Sequence, residues 1–164
     1  MMAKQPVQGA VKTRLCPPLT AESATLLYDA FLRDTVDMVA EGCMLAGDVT
    51  PALAYAPAEA HDYFKAMLPA NFVLLPQSGG DLGERLSNLP VQAQKLGYTT
   101  VAMISSDSPT LPALIAAECF AQLSKPDVDV VLGPCEDGGY YLIGMKAPQR
   151  TLFTGITWST NRVT

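Results

Sequence analysis

Residues Thr99–Pro112 read Thr-Thr-Val-Ala-Met-Ile-Ser-Ser-Asp-Ser-Pro-Thr-Leu-Pro. An apolar, partly β-branched run breaks off at Asp107, and the chain turns at Pro109. A run of this length bounded by turn residues fits a buried parallel strand. Open α/β sheets bind ligands beyond the carboxyl ends of their strands. Asp107, placed at such an end, is therefore a candidate metal ligand or catalytic group. Two other roles stay open for it: capping the helix that follows Pro109, or closing an Asx-turn.

Outward from this strand, strand-like and helix-like segments alternate. Thr20 is a candidate N-cap, and Ala24, Leu27, Ala30, Phe31 and Met38 form a helical stripe expected to end near Gly42. Residues 50–56 read as a strand and 58–67 as a short helix; 71–75 read as a strand. Leu82–Leu96 reads as a helix closed by Gly97. Residues 98–105 form the strand of the opening, 111–123 a helix, and 128–132 and 140–145 two further strands. The alternation predicts an α/β domain, a mostly parallel sheet with helices on both faces. Met1–Lys4 leave room only for a very short first strand, and the chain stops at Val163–Thr164, just after the expected start of a new helix. Missing flanking segments are expected at both ends.

The chain has 164 residues, 49% hydrophobic and 16% charged, which fits one globular domain with a real core. No apolar run reaches the roughly 20 residues of a membrane span. No basic segment precedes an apolar one, so no signal peptide is expected. With a net charge of −5 and scattered basic residues, nucleic acid is not the expected partner. Cys16, Cys43, Cys119 and Cys135 form no C-x-x-C pair, and His61 is the single histidine, so a zinc site is not expected. Free thiols point to a reducing, cytoplasmic setting, and His61 to an exposed surface position.

Three more loops carry candidate chemistry. Lys4–Leu15 combines Gly9 with Lys12 and Arg14, offering backbone N–H groups and two cations to a polyphosphate, although it is neither a Walker A nor a dinucleotide fingerprint and taken alone also reads as an ordinary basic loop. Gln77–Leu86 places Gly80 and Asp81 at the opening of a helix, where small residues let a ligand approach the backbone; Asp81 is equally a helix cap, and Gln77 a candidate reader of a base edge or sugar hydroxyl. Gly133–Gly144 carries Glu136 and Asp137 followed by Gly138, Gly139 and Tyr140. Asp137 is a candidate to share a divalent cation with Asp107, since magnesium takes one or two carboxylates plus substrate phosphates. A plain Asp/Gly turn is the alternative. Trp158 is expected to be a core aromatic preceding a cap at Ser159 or Thr160, with a place in the wall of the acceptor site as the alternative.

Together the runs Gly9–Leu15, Gly79–Leu86, Ser106–Pro112, Gly133–Gly144 and Phe153–Thr160, in this order and spacing, resemble bacterial proteins of the nucleotide-diphospho-sugar transferase superfamily, the DUF2064 or glycosyltransferase-A-like family. That superfamily is similar to molybdenum-cofactor and phospholactate guanylyltransferases. The resemblance implies a three-layer α/β/α, Rossmann-like GT-A fold over residues 1–164 as a single domain. Part of the family's first strand and its C-terminal elements are missing from it. It further implies that Lys12 and Arg14 hold phosphates, with Gly9, Gln77, Gly80 and Asp81 on the nucleotide side. Asp107 takes the metal-binding aspartate position. The local Ser-Asp-Ser lacks the second carboxylate of a DxD motif, which leaves Asp137 as the candidate partner. Glu136, Gly138, Gly139 and Tyr140 fall on the acceptor side.

The implied activity is transfer of a glycosyl group from a nucleotide sugar to a small-molecule acceptor, with Mg2+ or Mn2+ as cofactor. The alternatives are nucleotidyl transfer with release of pyrophosphate, to which the Lys-Thr-Arg-Leu run points, and nucleotide binding without turnover. In either transfer negative charge builds on phosphate oxygens, and cations placed there stabilise it. Glu136 or Asp137 is the candidate to orient or deprotonate the acceptor.

Overall fold

The computed structural model describes residues 1–158. Six strands and four helices alternate in order: β1 (Met2–Lys4), α1 (Ala21–Ala46), β2 (Ala52–Ala56), α2 (His61–Met67), β3 (Val73–Pro76), α3 (Leu82–Lys95), β4 (Val101–Ile104), α4 (Ala113–Leu123), β5 (Val130–Pro134) and β6 (Tyr140–Met145). The fold is α/β with a mixed sheet. β1, β2 and β3 pair in parallel, and β6 lies antiparallel between β4 and β5. A parallel bridge between Met2 and Ser105, with Ser106 N–H donating to the Met2 carbonyl at 3.1 Å, sets β1 beside β4. The order is thus β3-β2-β1-β4-β6-β5, and among the described strands β6 alone runs against the rest. The reversal at β6 follows from its link: residues 135–139 are too few for a parallel crossover, which needs a dozen or more.

Alternation along the strands divides the core in two. Leu53, Tyr55, Ile104 and Leu142 face one side and pack with Leu32, Val36 and Val39 of α1, Phe64 of α2 and Cys119 and Leu123 of α4. Ala54, Met103, Ile143 and Met145 face the other, against Leu86 and Leu89 of α3 and Phe153. Both stripes are buried, as the period of two in strands requires. Gly144 admits α4 on the first side: a Cβ there would stand 2.5 Å from Cys119 Sγ and 2.9 Å from Leu123 Cδ1. Cys119, so buried, has its thiol pKa pushed up to about 11.

The local signals for the helices hold with one correction. Thr20 caps α1, accepting from Ser23 N–H at 3.1 Å. The helix then passes through Gly42 and ends at Gly47, whose φ is +89°. Gly42 is not a stop but a contact point. It lies buried against α4, where a Cβ would meet the Ala113 carbonyl and the Ala116 methyl at 3.0 Å. Gly97 does close α3: its N–H bonds to the Gln94 carbonyl at 3.0 Å and that of Tyr98 to the Ala93 carbonyl at 3.1 Å, a Schellman motif. Among the described residues no helix is long and apolar enough to cross a membrane.

Candidate functional site

Between β1 and β4 the strand order reverses, since the chain moves outward from β1 through β2 to β3 and then returns to add β4 on the opposite flank. Such a switch point leaves a crevice at the carboxyl ends of the two strands. The loop after β1 and the Ser105–Asp107 turn after β4 both open there.

The loop after β1 is shaped by two left-handed residues. Gly9 (φ +77°) occupies the third position of a turn closed by Ala10 N–H on the Val7 carbonyl at 2.9 Å, a role suited to glycine. Val11 is buried and anchors the loop. Lys12 follows with φ +49°, the only non-glycine residue with positive φ among those described. It precedes a short 3-10 turn, Thr13–Leu15, in which Arg14 is exposed and makes no ion pair among the described residues. The Lys12 side chain is only 18% exposed. Its Nζ lies 5.6 Å from the ring centroids of both Tyr28 and Phe31 on α1, within reach of cation–π attraction. The ammonium ends 2.7 Å from Asp107 Oδ1.

Asp107 does not cap the helix after Pro109, because α4 begins only at Ala113 with Pro112 at its N-cap. Its backbone N–H bonds to Ser105 Oγ at 3.1 Å, and its carboxylate is 62% exposed, facing the crevice beside Lys12. Beneath the pair lies Tyr28. Its hydroxyl donates to the Lys4 carbonyl at 3.2 Å, accepts from Lys4 N–H at 3.0 Å and meets the buried Ser106 Oγ at 2.9 Å. One phenol thereby ties the end of β1 to the turn after β4. Burial is the largest cause raising its pKa, with Asp107 adding to it and the Ser106 and Lys4 bonds opposing. Tyr28 was not singled out from sequence. Its signal was present, since Ala24, Tyr28 and Leu32 continue one helical stripe at intervals of four.

The loop after β3 is braced from within. Gln77 Nε2 donates to the Ala3 carbonyl at 3.1 Å and to the Ala54 carbonyl at 2.8 Å. Both amide donors are used in this way, so Oε1 alone remains to meet a ligand. Asp81 caps α3, accepting from Glu84 N–H at 2.8 Å, and Glu84 Oε2 accepts from Gly80 N–H at 2.7 Å. This reciprocal pattern is that of a capping box shifted by one donor. Gly79 (φ +128°) is required by the same fold-back, as a Cβ there would lie 2.7 Å from Glu84 Cβ.

Between β5 and β6 Asp137 sits in a tight exposed turn. Its Oδ1 accepts from Gly139 N–H at 3.0 Å, and Cys135 N–H bonds to the Gly139 carbonyl at 2.8 Å. Gly138 takes φ +82°. Glu136 is exposed on the same turn. Tyr140, just beyond it, is partly buried against the core cluster on the α3 side of the sheet. Its hydroxyl is buried without a hydrogen-bond partner among the described residues, and burial pushes the phenol pKa up to about 12. Trp158 is a core aromatic as expected: it stacks on Phe153 with centroids 6.5 Å apart and packs on Gly83, where a Cβ would stand 2.6 Å from the indole nitrogen. The caps expected at Ser159 or Thr160, and the helix start near Val163, lie outside the described residues. All four cysteines are free thiols. His61 is exposed beside Asp62.

Residues 39–160 match a family described as an uncharacterized protein conserved in bacteria, DUF2064. The chain belongs to the DUF2064 family. A crystal structure of a "putative nucleotide-diphospho-sugar transferase" from Desulfovibrio desulfuricans G20 superposes on this DUF2064 chain with a TM-score of 0.85 and 32% sequence identity, covering 99% of it and 69% of that protein. No curated protein matches the chain. The superposition includes the Lys12 loop, which precedes the segment matched to the family.

A divalent cation is the group the resemblance asks of this site. Among the described residues no three His, Cys, Asp or Glu side chains cluster as a closed metal centre would. Asp107 is nevertheless an exposed carboxylate at a switch point with two cations on the neighbouring loop. Magnesium usually takes one or two carboxylates and completes its shell with water and substrate phosphates. The donor set of this DUF2064 chain therefore fits a cation delivered with a phosphorylated substrate.

Proposed function

We propose that this chain is a metal-dependent transferase on a three-layer α/β/α GT-A fold, binding a nucleotide sugar in the crevice between β1 and β4 and transferring its glycosyl group to a small-molecule acceptor. The observation that carries the proposal is the convergence of Lys12 and Asp107 at 2.7 Å across the switch point. The DUF2064 membership and the likeness to the Desulfovibrio protein support the transferase class.

In this reading Lys12 and Arg14 bind the diphosphate, aided by the loop around Gly9. Gly80, Asp81 and the free Oε1 of Gln77 border the nucleoside. Asp107, with Asp137 as second ligand, would hold Mg2+ or Mn2+, which supplies positive charge to the departing phosphates. Breaking the bond between sugar and phosphate leaves a nucleoside diphosphate, and the ammonium of Lys12 and the guanidinium of Arg14 stabilise the charge that builds on its oxygens. Glu136 or Asp137 orients the acceptor hydroxyl and takes its proton, while Gly138 and Gly139 leave space for it beside Tyr140.

Nucleotidyl transfer is the second reading, favoured by Lys12-Thr13-Arg14-Leu15 beside a glycine-containing loop, an arrangement suited to a triphosphate. Product analysis separates the two: free nucleoside diphosphate from a nucleotide sugar supports glycosyl transfer, and pyrophosphate from a nucleoside triphosphate supports nucleotidyl transfer. A thermal-shift screen of nucleoside di- and triphosphates and nucleotide sugars, with and without Mg2+ or Mn2+, identifies the donor first, because stabilisation grows with ligand concentration over dissociation constant. No stabilisation by any of them overturns both readings.

A further inference from the structure

In the free chain the phosphate-binding cation and the cation-binding carboxylate neutralise one another, and this has a consequence for how ligands enter. We propose that Lys12 plugs the cation site at Asp107, so that anion and metal binding are positively coupled: a phosphate draws the ammonium off the carboxylate and thereby opens the carboxylate to a divalent ion. The proposal rests on the assignment of Lys12 to phosphate and Asp107 to metal made above.

Three observations carry it. The Lys12 Nζ lies 2.7 Å from Asp107 Oδ1, a distance at which a dication on that oxygen meets a like charge and a phosphate on Lys12 meets the carboxylate. Each ligand alone is thus opposed, whereas both together restore charge balance. Second, the lysine is placed, not loose. Its backbone is left-handed at φ +49°, a conformation unfavourable for a residue with a Cβ, and its ammonium stands 5.6 Å from the ring centroids of Tyr28 and Phe31. An outlier of this kind persists where surroundings enforce it and points to function. Third, the support beneath does not depend on the ion pair. Tyr28 is bonded to Ser106 and to Lys4, so the ammonium can leave Asp107 without disturbing the turn that presents the carboxylate. Asp107 itself is mostly exposed, 62% of its side chain being open to solvent. Coupling of this kind is reciprocal and is expected to be on the order of 5-fold or more in each affinity.

Two titrations of the full chain, each with a single ligand, test it. Mn2+ binding, followed by loss of the free-ion electron paramagnetic resonance signal in the absence of any phosphate, is expected to be about 5-fold tighter in Lys12→Met than in wild type. Methionine keeps a long unbranched side chain while removing the charge, and Lys12→Gln serves as a second charge-free variant. Inorganic pyrophosphate in metal-free buffer is expected to bind Asp107→Asn more tightly than wild type by a similar factor. Equal or weaker binding in both arms, with Mn2+ binding still lost on adding Asp107→Asn to Lys12→Met, overturns the coupling while the assignment of Asp107 stands. Mn2+ binding that survives Asp107→Asn overturns the assignment itself, and the coupling with it.

Discussion

Lys12 and Asp107, 95 residues apart in sequence, meet at 2.7 Å across the crevice between the first and fourth strands. The pair is open to solvent on the carboxylate side, and exposed ion pairs stabilise folds by no more than about 1 kcal/mol. Its value lies in bringing opposite charges to one place. Lys12→Met is therefore expected to change the urea midpoint by the equivalent of less than about 1 kcal/mol while weakening phosphate-bearing ligands roughly tenfold or more, the worth of a hydrogen bond to a charged group. A large stability loss with unaltered ligand affinity would reverse that assignment.

Tyr140 carries a hydroxyl buried without a partner among the described residues. An unsatisfied buried donor costs roughly 1–3 kcal/mol. Tyr140→Phe removes the hydroxyl and keeps the ring against the core cluster, so the free protein is expected to become more stable by about 1 kcal/mol in chemical denaturation. A lower stability would mean that the hydroxyl is satisfied in solution.

Gly144 lets α4 lie on the sheet, and a Cβ there would stand 2.5 Å from Cys119 Sγ. Gly144→Ala is expected to destabilise the fold by about 1–3 kcal/mol, the usual cost of overpacking. Combining it with Cys119→Ala removes the clashing sulfur, so the double variant should lose less than the sum of the singles. Strict additivity in that cycle would show that the two positions do not touch.

Burial holds the Cys119 thiol protonated until about pH 11, against 9.0 ordinarily, and the Tyr140 phenol until about 12, against 10.0. Between the ordinary and the raised values the folded chain binds more protons than the unfolded one, so stability falls as pH rises. Below pH 9 neither group contributes a slope. Urea midpoints measured from pH 8 to 11.5 should be flat at first and then decline, and the decline should be shallower in the Cys119→Ala, Tyr140→Phe double variant. An unchanged slope in that variant would place the titration elsewhere.

Much of this was legible in the chain itself. The apolar run ending at Asp107, the caps at Thr20 and Asp81 and the stop at Gly97 are local signals, and local hydrogen bonding decides them. Gly42 misled because a glycine near the end of a helical stripe resembles a terminus, whereas here its missing Cβ serves a neighbouring helix 70 residues on. Tyr28 and the double use of Gln77 depend on contacts between elements distant in sequence, which periodicity does not encode. Asp137 could be read either as a ligand or as a turn residue. Its bond to Gly139 N–H shows the turn role at work.

Calorimetric titration of the nucleoside diphosphate or nucleotide sugar that gives the largest thermal shift, with Mg2+ present and absent, into wild type and Asp107→Ala tests the site most directly. Wild type should bind more tightly with Mg2+ than without it, and Asp107→Ala should lose that metal-dependent gain. Equal affinity in the two proteins, with the same response to Mg2+, would remove Asp107 from the site and the proposed chemistry with it.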